Sequence, residues 1–205
     1  MGNTAIVHNN QAQDCTGINA TNENPDFPIT AALTNAPADY FQSTAGSTEI
    51  LVPFSTNIDF SGVALVNHSF KTGDSIKMRV TSNNFVNYNE YTFPVYSSIT
   101  YINQSITNIN KIKFIIDTNS DIISLGQIYI GTYYEFPYSP DYPVKKELIE
   151  NSIGNKGVFG QLFTKLLSEQ WRYDLSYSLV YEEDYLVFRT ALQGGEPKVL
   201  ILDTD

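Results

Sequence analysis

The sequence predicts a mostly-β protein: an antiparallel β-sandwich of jelly-roll type, followed by a small β-barrel-like domain with one α-helix. Three observations lead there. Tyr, Ile, Val, Thr and Phe recur in short runs, with 14 Tyr and 12 Phe among 205 residues, and such side chains suit a pleated, half-buried surface. Spacers rich in Gly, Asn, Ser and Pro separate the runs at fairly regular intervals, as in sandwiches and jelly rolls. Hydrophobic residues make up 42% and charged residues 17%, which is enough apolar matter for a core and too much for a disordered chain.

The elements follow in order. Residues 1–27 are rich in Asn, Gln, Thr and Asp and show neither a strand nor a helix period, so they are expected to form an extended arm. In an assembly such an arm would order against a neighbour. Pro25, Pro28 and Pro37 mark the passage into a sandwich domain expected over 28–136. Thr48–Phe54 reads as a strand whose Pro53 suits an edge or bulge. Ile58–Phe70 reads as a second, kinked at Gly62. Lys71–Asp74 is a turn signal, and Ser75–Thr81 alternates Ile76, Met78 and Val80 with Lys77 and Arg79, the period of a half-buried strand. Tyr91–Tyr96, Ile99–Ile102, Lys111–Asp117 and Ile122–Tyr134 are the remaining strand candidates.

Three prolines in Phe136–Pro143 make a spacer, and the linker is placed at 137–143. The second domain, 144–205, is expected to be strand–strand–helix–strand. Val144–Ser152 reads as a strand or short helix, and Val158–Leu167 follows. Trp171–Tyr181 alternates, with Trp171, Tyr173 and Tyr177 expected in its core. Glu182–Gln193 reads as a helix with acidic residues in its first turn, where the helix dipole favours them. Gly194–Gly195 stops it, and Lys198–Leu202 is a closing strand.

Charge narrows the function. The net charge is −10, and no Lys or Arg precedes Lys71. Phosphate backbones are held by clustered cations, so nucleic acid is not an expected partner. No run of about 18 apolar residues is present, so membrane insertion is not expected, and Met1–Ala20 lacks the pattern of a secretory signal. Cys15 is the single cysteine, which excludes an intrachain disulfide.

Chemistry-bearing motifs are few. His8 lies in the polar segment, and His68, within an apolar run, reads as a satisfied structural histidine. Metal-type His/Cys spacings, a nucleophile elbow, a P-loop and a dinucleotide-binding glycine pattern are all missing. Asp117, Asn119 and Asp121 share the spacing that opens a calcium loop. However, Ile122 replaces the turn glycine and Ile128 the bidentate Glu, so the EF-hand reading fails and only a looser site near Asp117 and Asp121 is left open. Glu182, Glu183 and Asp184 suit a solvated helix start rather than an acid/base pair. The sequence therefore yields no catalytic, cofactor or metal residue, and a non-enzyme is expected. Tyr88, Tyr91, Tyr96, Tyr101, Tyr133, Tyr134, Tyr138 and Tyr142 are candidates for a sugar-binding surface or a subunit interface, because both uses favour a flat ring with a polar tip.

Two stretches carry resemblances. Tyr40–Asn84, with Leu125–Phe136 as closing strand, resembles a galactose-binding-like (discoidin-type) sandwich. That family carries loop Arg, Trp or His residues for its ligands, and no Lys or Arg occurs before Lys71. Gly160–Asp205, with an aromatic strand, an acidic helix and a final P-x-apolar strand, resembles the end of phage virion proteins. Together these imply a structural component of a bacteriophage tail or tail tip, assembled in the host cytoplasm. Its implied partners are other tail proteins, copies of itself in a ring and a host glycan. The assembly role stands first because arm, spacer and terminal barrel are unexplained by a glycan-binding module alone; a carbohydrate-binding module is the alternative.

Overall fold

The computed structural model describes residues 4–34, 39–95, 99–119, 122–137, 145–156, 162–174, 181–192 and 198–202, with 145–174, 192 and 200–202 as backbone only. Its strands are β1 (Thr4–His8), β2 (Asn19–Ala20), β3 (Phe41–Gln42), β4 (Ser47–His68), β5 (Ser75–Thr81), β6 (Asn89–Thr92), β7 (Ile99–Asp117), β8 (Ser124–Glu135), β9 (Lys145–Lys156), β10 (Leu162–Asp174) and β11 (Val199–Leu202). The single described α-helix, α1, spans Glu182–Leu192, and short 3₁₀ turns occupy Gln11–Asp14 and Ile29–Leu33. All pairings between described strands are antiparallel.

Two long strands make the sandwich by folding in half. The first part of β4 pairs with the last part of β7, from Ser47↔Asp117 to Pro53↔Lys111, and its last part pairs with the start of β7, from Gly62↔Asn103 to Val66↔Ile99. Between them the register slips at Pro53/Ile58, Ile58/Phe60 and Phe60/Gly62. Such bulges bend a strand without ending it. Asn108 takes a positive φ of 58° at this corner. Its N–H donates to Asp59 Oδ1 at 2.8 Å, and Asn57 Nδ2 donates to its side-chain oxygen at 2.6 Å. The strands expected at 48–54 and 58–70 are thus one strand, as are those expected at 99–102 and 111–117. Polar residues that read as breaks lie in bulged stretches, and the kink expected at Gly62 is itself at a bulge.

The first layer is β2, the front of β4, the back of β7, β5 and β6; the second is the front of β7, the back of β4, β8, β1 and β11, with β3 on the start of β8. Between them lies a core to which both contribute: Ile50 and Val52 with Ile76, Met78, Ile112, Phe114 and Ile116 from one side, Val63, Leu65, Ile128 and Ile130 from the other. Burying side chains of this kind stabilises by about 1.5–3 kcal/mol each. The second layer is apolar on its other face too, where Ala5, Val7, Ala64, Tyr129 and Val199 form a separate buried cluster.

This corrects the expected arm and the expected second domain. Residues 4–8 are an internal strand between β8 and β11, with Ala5, Ile6 and Val7 buried. The chain then turns at Asn9 (φ 55°), and the buried Asn10 side chain docks on β8. Its Oδ1 accepts from Ile130 N–H at 3.0 Å and from Ala12 N–H at 3.1 Å, while its Nδ2 donates to the Ile128 carbonyl at 3.3 Å. The segment is polar because its side chains replace strand partners, which composition alone does not reveal. At the other end β11 pairs with β1, from Thr4↔Leu202 to Val7↔Val199. The closing strand of the expected second unit therefore completes the sandwich sheet. Helix α1 forms where expected, and its Phe188 stacks on Phe136 at 4.4 Å. Strands β9 and β10 pair with each other in a separate two-stranded ribbon. Most of the 137–143 spacer and the Gly194–Gly195 stop lie outside the described residues.

Candidate functional site

The two halves of β4 both begin or end at one edge of the sandwich, and the loops between strands gather there. Asn22 Nδ2 donates to the Ser47 carbonyl at 2.8 Å and Thr44 N–H to the Asn22 carbonyl at 2.7 Å. Ser43 and Ile123 are joined twice, by Ser43 N–H to Ile123 O and by Ile123 N–H to Ser43 Oγ, each at 2.9 Å. Ser69 and Ser124 are joined in the same way, at 3.0 and 2.9 Å. Asp74 accepts from Lys71 N–H at 2.7 Å and from Asn119 N–H at 3.2 Å, and Thr118 N–H donates to the Gly46 carbonyl at 2.8 Å. Short Ser, Thr, Asn and Asp side chains suit this work because they reach backbone groups one loop away. The result is a loop end fixed by hydrogen bonds, with exposed Lys71, Asn119 and Ile122 on its surface.

His68 closes the end of β4 beneath these loops. Its Nδ1 accepts from Phe70 N–H at 3.2 Å, and its ring stacks on Phe70 at 4.3 Å. That bond leaves the proton of the neutral ring on Nε2, and Nε2 is buried without a partner. The histidine expected to be satisfied is therefore only half satisfied. Burial pushes its pKa down to about 4, against the raising effect of a backbone hydrogen bond.

A second surface lies on the outer face of the first layer. Lys77 and Arg79 of β5 stand beside Lys111 and Lys113 of β7, with Arg79 directly across from Lys113. Like charges so placed repel, and neighbours offset this. Glu90 binds Arg79 Nε at 2.7 Å and Lys77 Nζ at 3.4 Å, and Glu49 binds Lys113 Nζ at 2.9 Å. The Arg79 hydrogen bond holds the Glu90 carboxyl below its ordinary range. The loop from β5 to β6 adds two rings: Arg79 Cζ lies 4.6 Å from the Tyr88 centroid and Lys113 Nζ 5.2 Å from that of Phe85. Phe85 has φ 61° after Asn84 at 57°, a backbone conformation that costs a bulky residue about 1–3 kcal/mol. Thr81 and Asn83 hold the loop: Thr81 Oγ1 donates to the Asn87 carbonyl at 2.7 Å, and Asn87 N–H to Asn83 Oδ1 at 3.1 Å.

The candidate tyrosines do not form one patch. Tyr88 is exposed at this loop, and Tyr91 is half-buried against the main core. Tyr101 and Tyr133 stack at 6.3 Å on the second layer, where burial, with Glu135 nearby, raises the Tyr133 phenol. Tyr134 lies by Phe188. Tyr96, Tyr138, Tyr142 and Asp121 lie outside the described residues, as do the side chains of Trp171, Tyr173 and Tyr177. His8 lines an apolar groove of about 400 Å³ with Tyr134, Leu186 and Ala191. Cys15 is a free, half-buried thiol. Glu182, Glu183 and Asp184 occupy the first turn of α1. Among the described residues no group of three His, Cys, Asp or Glu is placed to hold a metal ion, and no described helix is long and apolar enough to cross a membrane. Sequence reasoning missed Asn10, which sits in the segment read as a polar arm, and Phe85, which lies between the strands expected at Ser75–Thr81 and Tyr91–Tyr96.

No protein-family profile and no curated protein matches the sequence. Solved structures do match. Chitosan-binding module 1 from the chitosanase/glucanase of Paenibacillus sp. IK-5 superposes with a TM-score of 0.50 at 17% identity, over 60% of this chain and 98% of the module. The antiparallel β-sandwich shares the fold of this module. A fucose binding module of Streptococcus pneumoniae (TM-score 0.49, 10% identity, 60% of this chain and 95% of that one) is similar in shape. So is a Clostridium perfringens module solved with GalNAc-β-1,3-galactose (0.46, 11%, 56% and 94%).

Proposed function

We propose that this chain is a non-catalytic glycan-binding domain whose ligand site is the loop end above His68. One observation carries the reading: loops from separate parts of the chain are fixed there by their own hydrogen bonds, over a buried imidazole N–H with no acceptor. A site ordered before binding loses less entropy when a flexible sugar arrives. Asn119 offers an amide, Lys71 an ammonium, Ile122 an apolar contact for a sugar face, and Asp74 and Asp117 supply carboxylates. That chemistry suits neutral and amino sugars, whose hydroxyl and ammonium groups donate to carboxylates. The fold shared with a chitosan-binding module supports the same reading. A glycan array spanning chitosan, galactose- and fucose-terminated oligosaccharides tests it. Binding should appear for a neutral or amino sugar and fall at least about tenfold in the Asn119→Ala/Ile122→Ala variant. An array without hits rejects the reading.

A structural role in a bacteriophage tail is the second reading, and one observation favours it. Strands β9 and β10 run antiparallel over Lys145–Lys156 and Leu162–Asp174 and pair with no other described strand. A lone two-stranded ribbon is marginal in water, so a neighbouring subunit would steady it. Light scattering on the full chain tests this, with a ring or higher oligomer as the expected result.

A further inference from the structure

The outer face of the first layer carries a feature that the loop-end site does not use. Lys77, Arg79, Lys111 and Lys113 face out together in a chain of net charge −10. Three carboxylates share the face, Glu49 and Glu90 in ion pairs and Asp117 at the end of β7, so the cations outnumber them by one. The rings of Tyr88 and Phe85 lie at its edge, held by cation–π contacts and presented by a loop that keeps a phenylalanine at positive φ. Strain of this kind persists where the surrounding structure enforces it, and it gathers at binding sites. Val86, beside Phe85, is 78% exposed.

We propose that this face is a second binding site, for a carboxylate-bearing polysaccharide of the uronate class. Arg79 and Lys113, directly across from each other, stand roughly 5 Å apart, and Lys77 and Lys111 each lie roughly 7 Å further along their own strand. That spacing is close to one charge per sugar ring, which is the charge density of a polyuronate. The existing ion pairs are exposed and therefore weak, so an incoming carboxylate exchanges with Glu49 or Glu90 at little cost. Exposed Tyr88 supplies a ring face on which a pyranose stacks. Nucleic acid fits less well, since its denser charge is repelled by the acidic remainder of the chain.

Affinity electrophoresis of the full chain through gels containing polygalacturonate, with a neutral galactan as reference, tests the site. The parent should be retarded by polygalacturonate, less so at raised salt. Arg79→Gln/Lys113→Gln should lose about tenfold in affinity and Tyr88→Ala about fivefold, with melting curves confirming that both fold. The loop-end variant Asn119→Ala/Ile122→Ala should be retarded like the parent, which separates this site from the proposed function. Absence of retardation, equal retardation of the Arg79/Lys113 variant and the parent, loss in the loop-end variant, or preference for a single-stranded oligonucleotide would each overturn it.

Discussion

The two layers of the sandwich are built from the same kinds of residue but tolerate different things. The first layer is wet on one side. Ile76, Met78 and Val80 point inward while Lys77 and Arg79 point out, and Ile112, Phe114 and Ile116 alternate with Lys111 and Lys113 in the same way. The second layer is buried on both sides. Val63 and Leu65 enter the main core, Ala64 joins the opposite cluster, and the layer is completed by β1 and β11 from the two ends of the sequence. A layer with one solvated face accepts change on that face. A layer closed on both faces, with its edge supplied by the chain termini, has little room to give.

The sharpest way to break this contrast is to remove residues 1–8. A dispensable arm would leave the fold intact, but loss of Ala5, Ile6 and Val7 forfeits burial of more than about 4 kcal/mol and orphans β11. The truncated chain should be unfolded by circular dichroism, and a cooperative melt near that of the parent would show that β1 is not integral. Gly131→Ala comes next. A Cβ there would overlap the His8 carbonyl oxygen, so β1 must move away, at a cost of about 3 kcal/mol. Denaturant titration measures it. Asn10→Ala leaves Ile130 N–H and the Ile128 carbonyl buried and unpaired, which should cost about 2–3 kcal/mol.

Acid should act through His68. Its folded pKa of about 4 lies below the ordinary 6.5, so between those values the unfolded chain binds a proton that the folded one refuses. Stability from this group is therefore complete above pH 6.5 and is lost as pH falls toward 4. The loss should be on the order of 2 kcal/mol, after allowance for partial solvent screening. His68→Gln should flatten this part of the stability–pH curve, and an unchanged slope would assign it to other groups. The smallest effect belongs to the outer face of the first layer. Tyr88→Ala should leave the melting temperature within error of the parent, because ring and guanidinium are both solvated; a clear drop would make Phe85–Tyr88 part of the fold rather than a surface.

The same contrast explains what was legible in the sequence. Ser75–Thr81 and Lys111–Asp117 announce themselves because a half-wet strand alternates. The helix at Glu182–Leu192 was legible from its spacing and its acidic first turn. Strand β1 was hidden, since TAIVH is nearly continuous in burial and its flanks are polar for a reason only tertiary structure supplies: Asn10 fills hydrogen bonds 118 and 120 residues away in sequence. The kink expected at Gly62 is one of the bulges of β4, but the polar stretches 55–57 and 103–110 read as strand ends because such residues signal equally a turn or a bulge. The loop end could not be seen at all. Its residues are ordinary Ser, Thr and Asn in Asn22–Glu23, Ser43–Ser47, Ser69–Asp74 and Thr118–Asn119, and nothing local says that they meet.

The measurement that bears most directly on the glycan-binding account is backbone amide hydrogen exchange, with and without the strongest sugar found on the array. The account predicts added protection at Ser43–Ser47, Ser69–Asp74 and Thr118–Asn119, with β9 and β10 unchanged. Protection confined to the β9–β10 ribbon, or spread evenly over the chain, would contradict it.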